Sequence, residues 1–171
     1  MKLTVLTDNA AGNHFLAEHG LSYLIKTPEK TFLFDTGHTD VFLKNAQKLN
    51  INLQQKIDTI VLSHGHWDHG DGLRYLENKK LIAHPGIFMN RYRKTDHTYI
   101  GLSLTKKEIQ QKFDLVPTEK PYEICSNAIF LGEIPRKNDF EAQTTPFTDE
   151  NGDPDFVPDD SAIVVIRDHE L

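Results

Sequence analysis

A chain of 171 residues that is 38% hydrophobic is long enough for one domain with its own core and short for two, so residues 1–171 are read as a single domain. The formal net charge of −6 provides no basic field to attract a phosphodiester backbone, which argues against nucleic acid as a partner. No stretch approaches the roughly 20 apolar residues that cross a bilayer. The single cysteine, Cys125, leaves no intramolecular disulfide, and the N-terminus lacks the apolar core of a secretory signal, so a cytoplasmic protein without a membrane partner is expected.

In chain order, the apolar and β-branched run 3–7 predicts a strand. Runs 21–26 and 31–35 predict two more, joined as a hairpin by the turn-like Thr27-Pro28-Glu29-Lys30. After the break at Gly37, Val41, Phe42, Ala46 and Leu49 recur at helical spacing with Lys44, Asn45, Gln47 and Lys48 between them. This pattern predicts an amphipathic helix capped at Thr39 or Asp40 and packed on the sheet. Residues 57–63 form a compact apolar run that stops at His64-Gly65, as in a buried strand delivering a functional loop at its carboxyl end. A helix is expected to begin at 73–76, and a short strand at 81–83 before the His84-Pro85-Gly86 break. Thr105-Lys106-Lys107-Glu108 has capping-box spacing and predicts a helix running to about Phe113. Residues 128–134 predict a strand. Residues 136–160, rich in Pro, Asp and Asn and without periodicity, are assigned to a long loop or lid within the domain. Residues 162–166 resume as a strand, and Asp168-His169-Glu170 is turn-like.

The chemistry concentrates at His64-Gly65-His66-Trp67-Asp68-His69, where three histidines and an aspartate fall within six residues, followed by Gly70 and Gly72. Neutral imidazoles and a carboxylate suit zinc, manganese or iron, and the glycines let the backbone turn sharply enough for the side chains to converge. On an extended segment His64 and His66 project to the same side and reach one ion, while Asp68 and His69, beyond the bend, face a second. The expected cofactor is therefore a divalent metal, zinc before manganese or iron, in up to two ions. A histidine-rich surface loop is the alternative, and the buried strand before the motif with a helix after it speaks against that alternative.

Leu62-Ser63-His64-Gly65-His66-Trp67-Asp68-His69-Gly70-Asp71-Gly72-Leu73 resembles the signature loop of the metallo-β-lactamase superfamily. Phe34-Asp35-Thr36-Gly37 resembles the strand-end segment whose aspartate supports that loop from behind. Glu18-His19-Gly20-Leu21-Ser22, Ala83-His84-Pro85, Gly132-Glu133-Ile134-Pro135-Arg136 and Phe140-Glu141 are similar to the branch related to the dihydropterin-linked aminobenzene ribofuranosyl phosphate synthases. The resemblance covers nearly the whole chain. It implies an α/β fold, the metallo-β-lactamase-like αβ/βα sandwich, with this chain as its N-terminal part and the C-terminal half missing. It also implies a metal-dependent hydrolase that uses a metal-activated water on a small, phosphorylated or heterocyclic metabolite. On this pattern His64 and His66 hold the first metal and Asp68 and His69 the second. Asp68 also orients the nucleophile or accepts its proton, and Asp35 fixes the imidazoles, although a turn residue before Gly37 would look the same.

The family pattern further implies a later histidine, a bridging carboxylate and a final histidine. The first of these is expected in a Gly-Cys-x-His segment one strand beyond Asp159-Asp160-Ser161-Ala162, and the sequence ends before it. A fragment, a second chain supplying the rest and a degenerate site are the three explanations. The fragment is preferred because 162–166 ends as though another strand should follow. Two other functions stay open on the same residues: a non-catalytic metal-binding or regulatory module, and an iron-dependent redox enzyme.

Outside the motif, Asp8, His84 and Arg136 are candidates for substrate binding. Asp8-Asn9 follows the first strand and reaches the pocket rim, or simply makes an Asx turn. Arg136 follows a strand, where a guanidinium can grip a phosphate or carboxylate, or be a solvated surface group. His84 and His169 are candidate replacement ligands. Arg91, Tyr92, Arg93 and Lys94 form a basic and aromatic cluster that reads as a solvated segment. Trp67 is expected beside the metals and Cys125 as a small buried residue. The expected partner is a small-molecule substrate, and self-association is left open.

Overall fold

The computed structural model describes residues 1–12, 14–140 and 143–166. β1 (Lys2–Thr7) pairs antiparallel with β2 (Ser22–Lys26), and β2 with β3 (Thr31–Phe34), across the expected turn. Thr27 closes that turn: its Oγ1 accepts the Lys30 N–H at 3.0 Å, and its own N–H donates to the Lys30 carbonyl at 2.8 Å. From β3 onward the pairing is parallel, through β4 (Thr59–Val61), β5 (Lys79–Ala83) and β7 (Phe113–Pro117), giving the order β1-β2-β3-β4-β5-β7. Parallel neighbours need crossovers. Between β3 and β4 these are α1 (Val41–Lys48) and α2 (Leu53–Lys56); between β4 and β5, α3 (Trp67–Gly70) and a 3-10 helix (Asp71–Tyr75). Between β5 and β7 run a second 3-10 helix (Pro85–Phe88), β6 (Arg91–Arg93) and α4 (Lys106–Lys112).

Consecutive residues of a strand point to opposite faces, and in the central strands both faces are buried. Leu33, Ile60 and Leu81 share one cluster with Phe42 and Ala46 of α1 and Ile109 of α4. Phe32, Val61 and Ile82 share another with Ile124, Ala128 and Phe130 of a second, antiparallel sheet. That sheet is β8 (Tyr122–Cys125), β9 (Ala128–Phe130) and β11 (Ile163–Val165), in the order β11-β9-β8. The layers are thus helices, main sheet, small sheet. Two-sided burial is why β4 reads as an unbroken apolar run, and each fully buried side chain such as Phe32 contributes roughly 1.5–3 kcal/mol.

The capping box at α4 is present with both bonds: Glu108 N–H donates to Thr105 Oγ1 at 3.3 Å, and Thr105 N–H to Glu108 Oε2 at 2.8 Å. Phe113, expected to end that helix, instead opens β7, its N–H still closing on Ile109 while its side chain enters the core. At α1 the cap position is Asp40, without a side-chain bond; Thr39 Oγ1 reaches the Val41 N–H at 3.4 Å. The strand expected over 128–134 stops at Phe130, shortly before Gly132 takes φ +72°. Within the long stretch 136–160 lies β10 (Phe147–Asp149), antiparallel to β6. Cys125 is half-buried. Among the described residues no helix is long and apolar enough to cross a membrane.

Candidate metal centre

The carboxyl ends of the parallel strands converge, as ligand sites in such sheets do: Asp35 follows β3, Ser63 and His64 follow β4, and His84 follows β5. Asp35 is fully buried at φ +56°, a left-handed conformation that aspartate tolerates better than most residues. Its Oδ1 accepts the Ser63 N–H at 2.7 Å, and its Oδ2 accepts the Ser63 hydroxyl at 2.7 Å and His69 Nδ1–H at 2.8 Å.

The inventory of donors and acceptors assigns the remaining protons. With its one proton directed at Asp35, Ser63 Oγ accepts from His64 Nδ1–H at 2.9 Å. His64 therefore presents a lone pair at Nε2, which accepts His66 Nδ1–H at 3.0 Å. His66 Nε2 is left buried and without a partner. His69, its Nδ1 proton on Asp35, turns Nε2 toward Asp68 Oδ2 at 3.7 Å. One buried carboxylate thus sets the tautomers of the motif's imidazoles.

Burial pushes His64 down to about 2, with the charges of His69, His66 and Arg91 acting in the same direction. Burial and Arg91 push His66 down to about 4, against the pull of Asp68 and Asp159. Burial opposes charge on His69 too, but the hydrogen bond and charge of Asp35 outweigh it and hold His69 above the ordinary imidazole value. His64 and His66 are therefore neutral, the state a ligand must have, whereas His69 has a proton to give up.

The residues fit a divalent transition metal. The donor set is imidazole and carboxylate, the His64 ring lies 4.6 Å from that of His66 and 4.2 Å from that of His69 between centroids, and His66 Nε2 is an orphaned buried acceptor. Among the described residues no three His, Cys, Asp or Glu side chains already converge as a metal-holding group. One nitrogen of each ring, His64 Nε2 and His66 Nδ1, is engaged with the other.

Several residues besides the four candidate ligands border this centre. His19 Nε2 lies 3.3 Å from Asp68 Oδ2, and the Leu21 N–H donates to the Asp68 carbonyl at 3.3 Å. Gly20 permits that approach: at φ +136°, a Cβ there would sit 2.1 Å from the Asp68 carbonyl oxygen. Trp67 packs against the His38 ring at 4.4 Å and the His19 ring at 5.8 Å, on the Asp68 side of the loop. The Gly65 N–H donates to Asp159 Oδ2 at 2.9 Å, and Asp159 in turn holds Arg91. Arg91 is the clearest departure from expectation, for it is wholly buried rather than solvated. Nothing local in Arg91-Tyr92-Arg93-Lys94 signals this, since the partners that neutralise it lie more than 60 residues along the chain. For His19 the signal was the histidine and glycine immediately ahead of β2.

A cavity of about 300 Å³ opens on His64 and His66 and is bounded by Arg136, Thr145, Phe147 and Asp160. Phe147 meets the His66 ring edge-on at 4.8 Å. Burial and the neighbouring Asp159 raise the Asp160 carboxyl above its ordinary range, and its Oδ1 lies 3.7 Å from His64 Nδ1. A second cavity of about 510 Å³ shares Arg136 and Asp160 and adds Glu133. A larger cleft of about 660 Å³ beside α1 and Arg74 contains none of the motif residues.

Of the candidates beyond the motif, Arg136 faces the cavity, with Nη2 donating to the Val157 carbonyl at 3.1 Å. Asp8 is exposed, accepts its neighbour Asn9's N–H at 2.6 Å and does not line the cavity. His84 is buried just behind the site: Nδ1 accepts the Gly86 N–H at 3.0 Å, and Nε2 lies 3.8 Å from Glu133. His169 and Glu141 lie outside the described residues.

Residues 17–87 match the metallo-beta-lactamase superfamily, and the α/β fold is metallo-beta-lactamase-like, a fold that in general implies divalent-metal binding. More particularly, it is 40% identical over 147 residues to an uncharacterized protein of Methanocaldococcus jannaschii, covering 82% of this chain and 56% of that protein. It is 34% identical over 163 residues to the 7,8-dihydropterin-6-methyl-4-(beta-D-ribofuranosyl)-aminobenzene-5'-phosphate synthase of the same organism, covering 85% of this chain and 55% of that one. The crystal structure of Tm1679, a metal-dependent hydrolase of the beta-lactamase superfamily, superposes with a TM-score of 0.79 at 32% identity, over 97% of this chain and 61% of that one. The chain spans a little over half the length of these relatives.

Proposed function

We propose that this chain carries part of the active centre of a metal-dependent hydrolase acting on a small anionic metabolite, with His64 and His66 as ligands of one divalent ion and Asp68 and His69 as ligands of a second. The observation that supports this best is the chain of bonds from Asp35, which leaves imidazole lone pairs at Nε2 and one of them, on His66, buried without a partner. A bound ion of this kind supplies a Lewis acid that lowers the pKa of water toward about 7. Asp35 holds the His69 ring and, through Ser63, the His64 ring in the orientation a ligand needs. Asp68, flanked by His19 and His69, is placed to orient the attacking group or take its proton. Arg136 faces the cavity as the group that meets a phosphate or carboxylate on the substrate, while Phe147 and Phe156 add apolar surface to the cavity wall. The net charge of −6 makes a small molecule a better partner than nucleic acid.

Zinc is the proposed metal, and the test is elemental analysis with a visible spectrum after loading the purified chain with zinc, manganese and iron(II) in turn. Bound zinc in the wild type, lost in both His64→Ala and Asp68→Ala, is the expected result. A wild type retaining no more metal than His64→Ala overturns the reading. Bound iron with a visible band redirects it to redox chemistry. A second reading, a non-catalytic metal-binding module, is favoured by the lack of a preassembled group of three donors among the described residues. Turnover of an activated anionic ester by the metal-loaded chain excludes that module; tight metal binding without turnover supports it.

A further inference from the structure

We propose that Arg91 and Asp159 form a positioning clasp that fixes the Gly65 peptide, and with it the His64 and His66 side chains, against the cavity wall formed by residues 144–160. Arg91 opens β6 and has no exposed surface. A guanidinium taken wholly out of water is tolerated only when it is paired and its donors are satisfied. Asp159, equally buried, grips it through both terminal nitrogens, Nη1 to Oδ2 at 2.9 Å and Nη2 to Oδ1. Asp155 Oδ2 lies 2.8 Å from Nε, as an ion pair rather than an aligned hydrogen bond. The two carboxylates therefore tie a segment of little regular structure to β6.

The same Asp159 oxygen that accepts Arg91 Nη1 also accepts the Gly65 N–H at 2.9 Å, and Gly65 is the residue between His64 and His66. A bidentate guanidinium allows a carboxylate little rotation, so the acceptor presented to Gly65 is fixed in direction as well as charge. The backbone of Arg91 reaches the other side of the motif: its carbonyl accepts the Ile100 N–H at 2.8 Å, and the Ile100 carbonyl accepts the Trp67 N–H at 3.1 Å. Ser161 N–H adds a bond to the Ser63 carbonyl at 2.9 Å. On its remaining side Gly65 has no slack, since a Cβ there would stand 2.1 Å from the Ile87 carbonyl oxygen. Phe147, on β10 beside β6, is set edge-on to His66 by the same arrangement. A buried ion cluster is weak evidence for stability, because apolar replacements often serve as well. Its direction toward the peptide joining two candidate ligands is what assigns it to positioning. The metal part of this inference rests on the function proposed above.

The test uses Asp159→Asn, which keeps the size and an acceptor oxygen but removes the charge that orients it, and Arg91→Lys, which keeps a charge but not the two-pronged grip. Gly65 amide hydrogen exchange is followed in the metal-free proteins at a temperature where circular dichroism shows both variants folded, and zinc affinity is read by competition with a chromophoric chelator. In Asp159→Asn, Gly65 exchange is expected to accelerate about 10-fold or more beyond any change at the core amides of Ile60 and Ile82. Zinc affinity is expected to fall about 10- to 100-fold, and Arg91→Lys should lie between this variant and wild type. A merely structural role would accelerate all of these amides alike and leave the affinity of the folded protein within about 2-fold, and that result overturns the clasp. Should neither variant fold, the wild type decides: the Gly65 amide and the Arg91 guanidinium protons are expected to share one protection factor, because one opening releases both. A Gly65 amide much less protected than Arg91 refutes the proposal. If exchange responds as expected but wild type binds no zinc, the clasp stands and the metal reading fails; if wild type and variants bind zinc alike, the reverse holds.

Discussion

Replacing Asp35 with Asn separates the charge of this carboxylate from its shape. The backbone at φ +56° is a conformation that asparagine also tolerates, so the substitution introduces no strain of its own. Three bonds converge on the carboxylate, from Ser63 N–H, Ser63 Oγ–H and His69 Nδ1–H. The amide keeps one acceptor oxygen, which can serve Ser63 N–H, but its NH2 group then faces the two donors that Oδ2 received. Hydrogen bonds to a charged group are worth about 1.5–3 kcal/mol each, and relief from burying a carboxylate returns part of the loss. A net cost of about 1.4–2.8 kcal/mol in ligand placement corresponds to a 10- to 100-fold weaker metal affinity. His69 supplies a second, independent measure. Burial alone pushes its pKa down and Asp35 is the main influence pushing it up, so the variant is expected to titrate below wild type. Losing that proton more readily would by itself favour metal, which is why affinity should be measured across the His69 titration in both proteins and compared with the ring deprotonated. Zinc competition against a chelator and NMR titration of the His69 ring protons read the two effects. Unaltered His69 titration together with zinc affinity within about 2-fold of wild type would refute the role given to Asp35.

Acid should weaken the metal-free protein through His64 and His66. Both fold with pKa values of about 2 and about 4, below the ordinary 6.5, so their contribution is complete above pH 6.5. It is lost as pH falls toward 4 and then 2, because only the unfolded chain takes up the protons. His69, raised in the folded state, acts oppositely: its contribution is present below 6.5 and fades as pH rises through its folded value. A urea midpoint lower at about pH 5 than at about pH 7, with the difference reduced in a His64→Gln, His66→Gln double variant, is expected; equal midpoints in the wild type would contradict the burial argument. Gly20→Ala forces a Cβ to within 2.1 Å of the Asp68 carbonyl oxygen at φ +136°. It should cost at least about 2 kcal/mol by urea unfolding, and a loss under about 0.5 kcal/mol would show that the His19 loop does not pack on Asp68 as described. Arg136→Met should weaken phenyl phosphate binding about 10-fold with zinc content unchanged; undiminished binding by calorimetry would remove Arg136 from the substrate site.

Local chemistry was legible wherever one short segment contains both partners. The Thr27 turn, the α4 capping box and the two-sided apolar strand β4 each follow from neighbours in sequence. The four candidate donors were legible for the same reason, since six consecutive residues hold them. The helix expected to about Phe113 is present, but β7 is not legible beyond it, because whether Phe113 closes a helix or opens a strand depends on β5, more than 30 residues earlier. β10 was overlooked because its ladder partner is β6, and nothing in Phe147-Thr148-Asp149 alternates strongly enough to announce a strand.

The amino-acid order alone determined which groups can ligate metal and which runs build the sheet, because hydrophobic period, turn residues and motif spacing are short-range properties written where they act. Tertiary structure alone decided how those groups are held. Asp35 meets Ser63 and His69 across 28 and 34 residues, and Arg91 becomes a buried cation because Asp159 arrives from 68 residues away. A charge can leave water only when its counter-charge and hydrogen-bond partners arrive with it, and pairing at that distance leaves no periodic trace in the chain.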